Sequence, residues 1–189
     1  TRVGKRTGIA AVKIATDMVR ERLINKKEAV SRVKPNQIYE SMLKNIDSKD
    51  LSSAVRLGGG LPAGPGASTG QVVFSAQKAE KLGKKGKQII LVRNETSPED
   101  IHGMRYAAGI LTSRGGLTSH AALVARGWGK SCIVGYQGLK ISKNKKSAVF
   151  GDKKIKEGDW ITLNGTDGSV FDQKLGLFQE QCCQLNLKQ

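Results

Sequence analysis

The sequence has 189 residues, of which 38% are hydrophobic. This composition supports one ordinary core with a small appendage and excludes an assembly of several domains. No stretch approaches the ~20 apolar residues that a membrane span needs, and the N-terminus lacks the apolar segment of a secretory signal. We therefore expect an intracellular protein, cytoplasmic unless it resides in an organelle. Because the chain begins without Met, we also expect one segment of a larger polypeptide.

The charge is strongly positive, with 32 Lys and Arg against 16 Asp and Glu and a net charge of +16. Such a balance is typical of nucleic-acid binders, because neutralising phosphates dominates their affinity. However, aromatic residues make up only 5% of the chain and do not alternate with the basic runs as they would on a base-stacking surface. We expect a solvated lysine-rich face, and keep a basic nucleic-acid-binding module as the weaker alternative. Most of these lysines surround a predicted hairpin: Lys140, Lys143, Lys145, Lys146, Lys153, Lys154 and Lys156.

The first 50 residues carry helical patterns. Apolar side chains at helical spacing predict a helix over 7–23, and Asn25 with Glu28 resembles a capping box opening a second helix, Lys26–Arg32. Pro35 predicts the start of a third helix, over 36–43. The polar stretch 45–50 follows. We interpret residues 1–50 as a helical N-terminal arm or linker.

Residues 51–175 read as a mixed α/β domain, and residues 176–189 as a linker or tail. The glycine-rich stretch 58–66 predicts a turn-rich crossing that no helix or central strand would tolerate. The predicted strands are 70–74, 88–92, 109–112, 131–134, 158–164 and 168–171, and the predicted helices are 75–82, 97–108 and 120–126.

Three cysteines and two histidines limit the possible metal chemistry. Cys132, Cys182 and Cys183 lack metal-ligand spacing, and we interpret them as reduced thiols. With only His102 and His120 available, a multi-histidine metal site is improbable. His102 lies inside a predicted helix without a neighbouring base, which favours a structural role.

His120 is the candidate nucleophile. Gly115 and Gly116 allow a tight backbone path after a strand, and Thr118 or Ser119 can cap the helix that His120 begins. Unpaired N–H groups at a helix start bind anions, and the positive end of the helix disfavours a protonated ring.

The hydroxyls of Thr118 and Ser119, with Arg114 or Arg126 as cations, could therefore bind a phosphoryl group carried on the neutral ring of His120. The alternative is a capping or packing histidine on an ordinary helix.

The run TSRGGLTSHAALVARGWGK over 112–130 resembles the phosphohistidine signature of the phosphoenolpyruvate-utilising enzymes. Within that superfamily the sequence is most similar to the pyruvate, phosphate dikinase family, and the similarity is collinear over nearly the whole chain. It includes the segments 4–8, 11–15, 64–67, 69–70 and 92–100.

The resemblance implies a swivelling β/β/α phosphohistidine domain. It also implies partner domains that this chain cannot contain: a preceding ATP-grasp nucleotide-binding domain and a following (α/β)8 pyruvate-binding barrel. The family interconverts ATP, phosphate and pyruvate with AMP, pyrophosphate and phosphoenolpyruvate.

His120 would then be transiently (pyro)phosphorylated and shuttle between two sites, with the N-terminal helices and residues 45–50 as hinge candidates. Mg²⁺ would be bound on the partner domains and no metal on this chain. The resemblance also implies a homodimeric full enzyme without a membrane partner.

Two further expectations follow from the resemblance. In plant members the threonine two residues before the histidine is a regulatory phosphorylation site, which corresponds to Thr118 here; the alternative is a simple helix cap. We also expect the isolated chain to lack full turnover. A freestanding phosphohistidine carrier acting with separate partner proteins remains the main alternative function.

Overall fold

A computed structural model describes residues 6–179. Among these, residues 6–44 and Gln179 form one compact unit and Asn45–Phe178 form a second. The predicted boundaries were 50/51 and 175/176. The second unit is wider because the short strands β1 (Asn45–Ile46) and β13 (Leu177–Phe178) pair antiparallel with each other. Most of the predicted tail, including Cys182 and Cys183, lies outside the described residues.

The first unit contains three helices: α1 (Gly8–Arg20), α2 (Lys26–Arg32) and α3 (Pro35–Ser41). Helix α1 stops three residues before the predicted end because Arg22 adopts a left-handed φ of 60°. The Leu23 N–H then bonds to the Met18 carbonyl and the Arg22 N–H to the Val19 carbonyl, which is the Schellman pattern of a helix end. Helix α2 has the predicted bounds, and the side chain of Asn25 accepts from the Glu28 N–H.

No helix within residues 6–179 is both long enough and apolar enough to cross a membrane.

The second unit is built on an eight-stranded mixed sheet. Its parallel centre, β4-β5-β6-β7, is connected by helices α5 (Ala76–Gly83), α6 (Ile101–Tyr106) and α7 (His120–Gly127). In spatial order the strands are β2 (Arg56–Gly59), β12 (Ser169–Phe171), β11 (Trp160–Asn164), β4 (Ala67–Val73), β5 (Ile89–Arg93), β6 (Gly109–Thr112), β7 (Ser131–Val134) and β3 (Leu61–Gly64). The predicted mixed α/β class is confirmed.

The predicted turn-rich crossing instead forms the two edge strands of this sheet. Strands β2 and β3 stand at opposite edges although only Gly60 separates them in the chain, so the sheet curls until its edges meet. Gly60 donates to the Gly168 carbonyl, and a Cβ at Gly60 would lie 2.6 Å from the Val134 oxygen. Glycine is needed here because both edges approach its backbone closely. The prediction that the segment excludes a central strand agrees with these edge positions.

The central strands bury both faces, in two separate cores. Alternate residues such as Val72, Ile90 and Leu111 face a core shared with a three-stranded sheet, β8 (Leu139–Ile141), β9 (Ser147–Phe150) and β10 (Lys153–Lys156). Their neighbours, such as Leu91 and Ile110, face a core shared with α5, α6 and α7. The second unit therefore has three layers, a small sheet, the large sheet and helices, because strand side chains alternate between faces.

Residues 45–50, predicted to be a polar linker, belong to this second unit. They form β1 and the beginning of α4 (Ser48–Ser53). The carboxylate of Asp50 accepts from the Gly176 N–H at 2.6 Å, and the Asp47 N–H donates to the Gly176 carbonyl at 3.1 Å. These polar side chains cap a helix and bond to a distant segment. Local sequence polarity alone cannot distinguish such residues from those of a linker.

Similarly, the helix predicted over 97–108 is shorter than expected. Pro98–Asp100 form a 3₁₀ turn, and α6 ends at Tyr106.

Cys132 on β7 gives a first test of this packing. Its side chain is fully buried, and burial raises the pKa of the thiol from 9.0 to about 12. At pH 8 we therefore expect native Cys132 to resist iodoacetamide, because the thiolate is the reactive species. Peptide mass spectrometry of native and urea-unfolded chain checks this.

The raised pKa means that the folded state favours the neutral thiol. The stability that the neutral Cys132 thiol contributes to the folded state should therefore be lost as pH rises from about 9 towards 12. Equal labelling of Cys132 with and without urea would contradict the burial.

Candidate phosphohistidine site

The loops that follow β5 and β6 lie side by side at the carboxyl edge of the parallel strands. The Ser113 N–H donates to the Arg93 carbonyl at 3.1 Å, and the Arg114 N–H donates to the Asn94 carbonyl at 2.8 Å. The Ser113 hydroxyl adds a bond of 3.2 Å to the Asn94 side chain. This edge is where open parallel sheets place their ligands, because loops from successive strands converge there.

His120 is the first residue of α7 and is half-buried. Its Nδ1 lies 3.0 Å from the hydroxyl of Thr96, which comes from the loop after β5. If the hydroxyl accepts from Nδ1–H, the lone pair of the neutral ring is on Nε2. The geometry therefore leaves Nε2 as the nitrogen available for nucleophilic attack.

Thr96 was not among the site residues predicted from the sequence, although it lies in one of the segments that carry the resemblance. No local pattern marks a threonine 24 residues from the histidine as its partner. The useful signal would have been topological, since Thr96 follows one parallel strand and His120 begins the helix after the next strand.

An ion pair holds the loop that carries Thr96. The guanidinium of Arg93 lies 3.2 Å from the carboxylate of Asp100 and also donates to the Phe74 carbonyl. Asp100, only 6% exposed, accepts from the Ser97 N–H at 3.1 Å as well. Because Arg93 and Ser97 flank Thr96 in the chain, this network restricts the position of the hydroxyl that contacts His120.

The start of α7 is not capped by a side chain. Ser119 occupies the N-cap position in an extended conformation, but its hydroxyl makes no capping bond. Its Oγ is buried and has no hydrogen-bond partner among residues 6–179. Helix starts have N–H groups without intrahelical partners, so this end retains the donors that an anion needs.

Thr118 is exposed and is not the capping residue.

The two candidate glycines differ in their constraints. Gly115 has a φ of +104°, and a Cβ there would lie 3.0 Å from the Ser119 Cβ. Gly116 has open space around its Cα and no left-handed φ. Both glycines were expected to be required for a tight backbone path, but only Gly115 is constrained in this way.

A third glycine, Gly135, was missed. It has a φ of +68°, and a Cβ there would come within 2.8 Å of the Gly115 oxygen.

The two candidate arginines also differ. Arg126 donates from Nη2 to the Leu117 carbonyl and from Nε to the Ala122 carbonyl at 3.2 Å, so it secures the loop. Arg114 is exposed, and within residues 6–179 its guanidinium has no hydrogen-bond or ion-pair partner. Arg114 is thus the better candidate to contact an incoming phosphoryl group.

The other histidine stands apart from this constellation. His102 is exposed on α6. Within the described residues, no group of three or more His, Cys, Asp and Glu side chains could hold a metal ion.

Comparisons with known proteins agree with this geometry. Residues 85–168 match the family described as "PEP-utilising enzyme, mobile domain", a range that contains both loops and all of α7. Residues 85–168 are therefore similar to the mobile domain of the phosphoenolpyruvate-utilising enzymes.

Curated relatives extend the likeness beyond that range. The chain is 49% identical over 176 residues to pyruvate, phosphate dikinase 2 of Oryza sativa subsp. japonica, covering 93% of the chain and 20% of the relative. It is 51% identical over 170 residues to the chloroplastic pyruvate, phosphate dikinase of Flaveria pringlei, covering 90% and 18%. It is 49% identical over 176 residues to chloroplastic pyruvate, phosphate dikinase 1 of Arabidopsis thaliana, covering 93% of the chain and 18% of the relative.

The similarity to the pyruvate, phosphate dikinase family expected from the sequence is thus confirmed. The chain spans about a fifth of the length of these relatives.

The glycine geometry gives a second test. We expect Gly135→Ala to lower the free energy of unfolding by about 1–3 kcal/mol, because a left-handed φ and the close Gly115 carbonyl both oppose a side chain. Gly116→Ala is the matched control and should change it by less than about 0.5 kcal/mol. Urea denaturation of both variants measures the difference, and equal effects would contradict the assigned roles.

The contact between Thr96 and His120 gives a third test. Thr96→Val removes the hydroxyl, so the preference for a proton on Nδ1 should fall by about two- to twelvefold, as expected for one neutral hydrogen bond of ~0.5–1.5 kcal/mol. Nitrogen-15 NMR of the neutral His120 ring reports the two tautomers. Thr96→Ser should retain the wild-type spectrum. A Thr96→Val spectrum identical to wild type would show that the contact does not select the tautomer.

Proposed function

We propose that this chain is the phosphoryl-carrier part of a pyruvate, phosphate dikinase, with Nε2 of His120 as the nucleophile. The observation that carries the proposal is the contact between Nδ1 of His120 and Thr96, which leaves the second ring nitrogen available at an uncapped helix start. The family match and the similarity to dikinases support the same assignment.

In the proposed step, the Nε2 lone pair forms a bond to phosphorus as the bond from phosphorus to the donor oxygen breaks. With the Thr96 hydroxyl accepting from Nδ1–H, Nε2 carries the lone pair and needs no deprotonation before attack. The α7 N–H groups and Arg114 would stabilise the oxygens of the transferred group. In the reverse step the electron pair of the P–N bond returns to Nε2, and phosphorus bonds to an acceptor oxygen.

The proposed partners are the other domains of such an enzyme. An ATP-grasp domain would transfer a pyrophosphoryl group from ATP to His120 and the terminal phosphoryl to phosphate. An (α/β)8 domain would exchange the remaining phosphoryl group with pyruvate and phosphoenolpyruvate. We place Mg²⁺ with those substrates on these domains, and expect the full enzyme to be a homodimer.

Swivelling between the two partners is part of the proposal. We place any hinge outside residues 45–178, because residues 45–50 are tied to Leu177, Phe178 and Gly176 by backbone pairing and side-chain bonds. Intracellular location also remains a prediction. Several relatives are named chloroplastic, which is compatible with an organelle as well as the cytoplasm.

Regulation at Thr118 is a finer proposal. Its exposed hydroxyl lies two residues before His120, so phosphorylation would add roughly −1.5 to −2 charges beside the nucleophile. That charge would repel a phosphoryl donor.

The fourth test is direct labelling. The chain is mixed with labelled phosphoenolpyruvate, Mg²⁺ and a dikinase relative whose own corresponding histidine is replaced by alanine. We expect an acid-labile, alkali-stable label on His120, no label on His120→Ala and an unaltered label on His102→Ala. The chain without the relative should show no turnover. Label retained by His120→Ala would contradict the proposal.

A further inference from the structure

Three exposed leucines belong to the loop and helix that carry His120 or lie next to that loop. Leu123, three residues after His120 on α7, is 57% exposed, and Leu117, in the loop before the helix, is 47% exposed. Positions three apart on a helix are neighbours on one face. Leu61 on β3 is also 47% exposed, and it lies across Gly135 from the Gly115 carbonyl: a Cβ at Gly135 would be 3.8 Å from Leu61 Cδ1. We call Leu61, Leu117 and Leu123 the leucine rim.

Folding does not account for this rim. The α7 side chains that pack into the core are the alanines at 121, 122 and 125, so Leu123 points away from them. Arg126 holds the Leu117 carbonyl, which secures the loop while its side chain stays exposed. Single exposed leucines are ordinary on protein surfaces, but three on or beside the segment that carries the proposed nucleophile indicate a contact surface.

From this arrangement we infer that the leucine rim docks onto an apolar rim around a phosphoryl-exchange site in the rest of the dikinase. The inference rests on the proposed function and adds which residues make the contact. The relatives are about five times as long as this chain, so the occupant is a surface of that remaining polypeptide.

The chemistry explains why the rim would be apolar. Phosphohistidine is lost to hydrolysis when a water oxygen bonds to phosphorus, the P–N bond breaks, its electron pair returns to Nε2, and the water protons pass to phosphate and solvent. Burying leucines on both sides removes that water and strengthens the polar contacts inside the joint site. An apolar contact also forms with either charge state of the carried group.

The experiment uses the chain as phosphoryl acceptor and the histidine-replaced dikinase relative with labelled phosphoenolpyruvate as donor. Initial rates are measured against chain concentration. Leu123→Ser should lower kcat/KM about tenfold, mainly through KM, because less apolar surface is buried on docking. Leu123→Met should restore the wild-type value to within about twofold. Leu117→Ser provides a second, independent variant.

Val149→Ser is the matched control, since Val149 is an exposed apolar residue on β9 and should leave kcat/KM unchanged. The purified phosphorylated chains should lose label at equal rates without the relative, because water reaches all of them.

A labelled chain whose Leu123→Ser and Leu117→Ser variants keep wild-type kcat/KM would overturn the docking inference alone. An unlabelled wild-type chain would overturn the proposed function and the inference with it.

Discussion

The parallel pairing of β5 with β6 is the constraint on which the site depends. Its register sets Arg93 opposite Thr112, so the two loops leave the sheet at the same level. The loop after β5 then brings Thr96 to the imidazole that the loop after β6 presents. Side chains 24 positions apart meet because the two strands are aligned. A one-residue shift in register would move the side chains of one strand to the opposite face of the sheet. The contact between Thr96 and His120 is therefore a consequence of sheet register.

That register is in turn secured by burial on both faces. Ile90 and Leu111 contribute to one core, while Leu91 and Ile110 contribute to the other, and all four are completely buried. Either face alone would permit some bending, but a sheet with helices on one side and a second sheet on the other resists it. Closure through Gly60 adds a further restraint by joining the two edges. The site is carried on the most constrained part of the chain.

Local sequence chemistry predicted much of this architecture. The strands 109–112 and 131–134 and the helix α2 have the predicted bounds, since short buried runs and helix caps are signalled by neighbouring residues. The turn-rich crossing predicted over 58–66 forms most of the two edge strands instead. The glycines and proline of this segment allow the two edges of the sheet to approach each other. This is a long-range requirement that local propensity does not show.

The site was predictable to the same extent. His120, the glycine loop and the uncapped helix all lie within one short run of sequence, and that run could be interpreted directly. Thr96, Gly135 and the Arg93–Asp100 pair join the site only through the fold. The different constraints on Gly115 and Gly116 likewise depend on the neighbours that the fold supplies, because adjacent glycines look alike in a sequence.

The proposed carrier function requires one reactive atom to be presented identically to two partners, and the hydrogen bonds at this site are consistent with that requirement. The bonds of Thr96, Arg126 and Ser113 all tie the loops and the ring back to the domain itself. At the far end of α7, Lys130 donates from a half-buried position to the Ala107 carbonyl at the end of α6, and burial lowers the pKa of its ammonium group.

Arg114 and the three leucines, in contrast, are exposed. If the proposed carrier function holds, loops bonded to their own domain together with an exposed outer surface would allow one histidine to serve more than one site without refolding its loop.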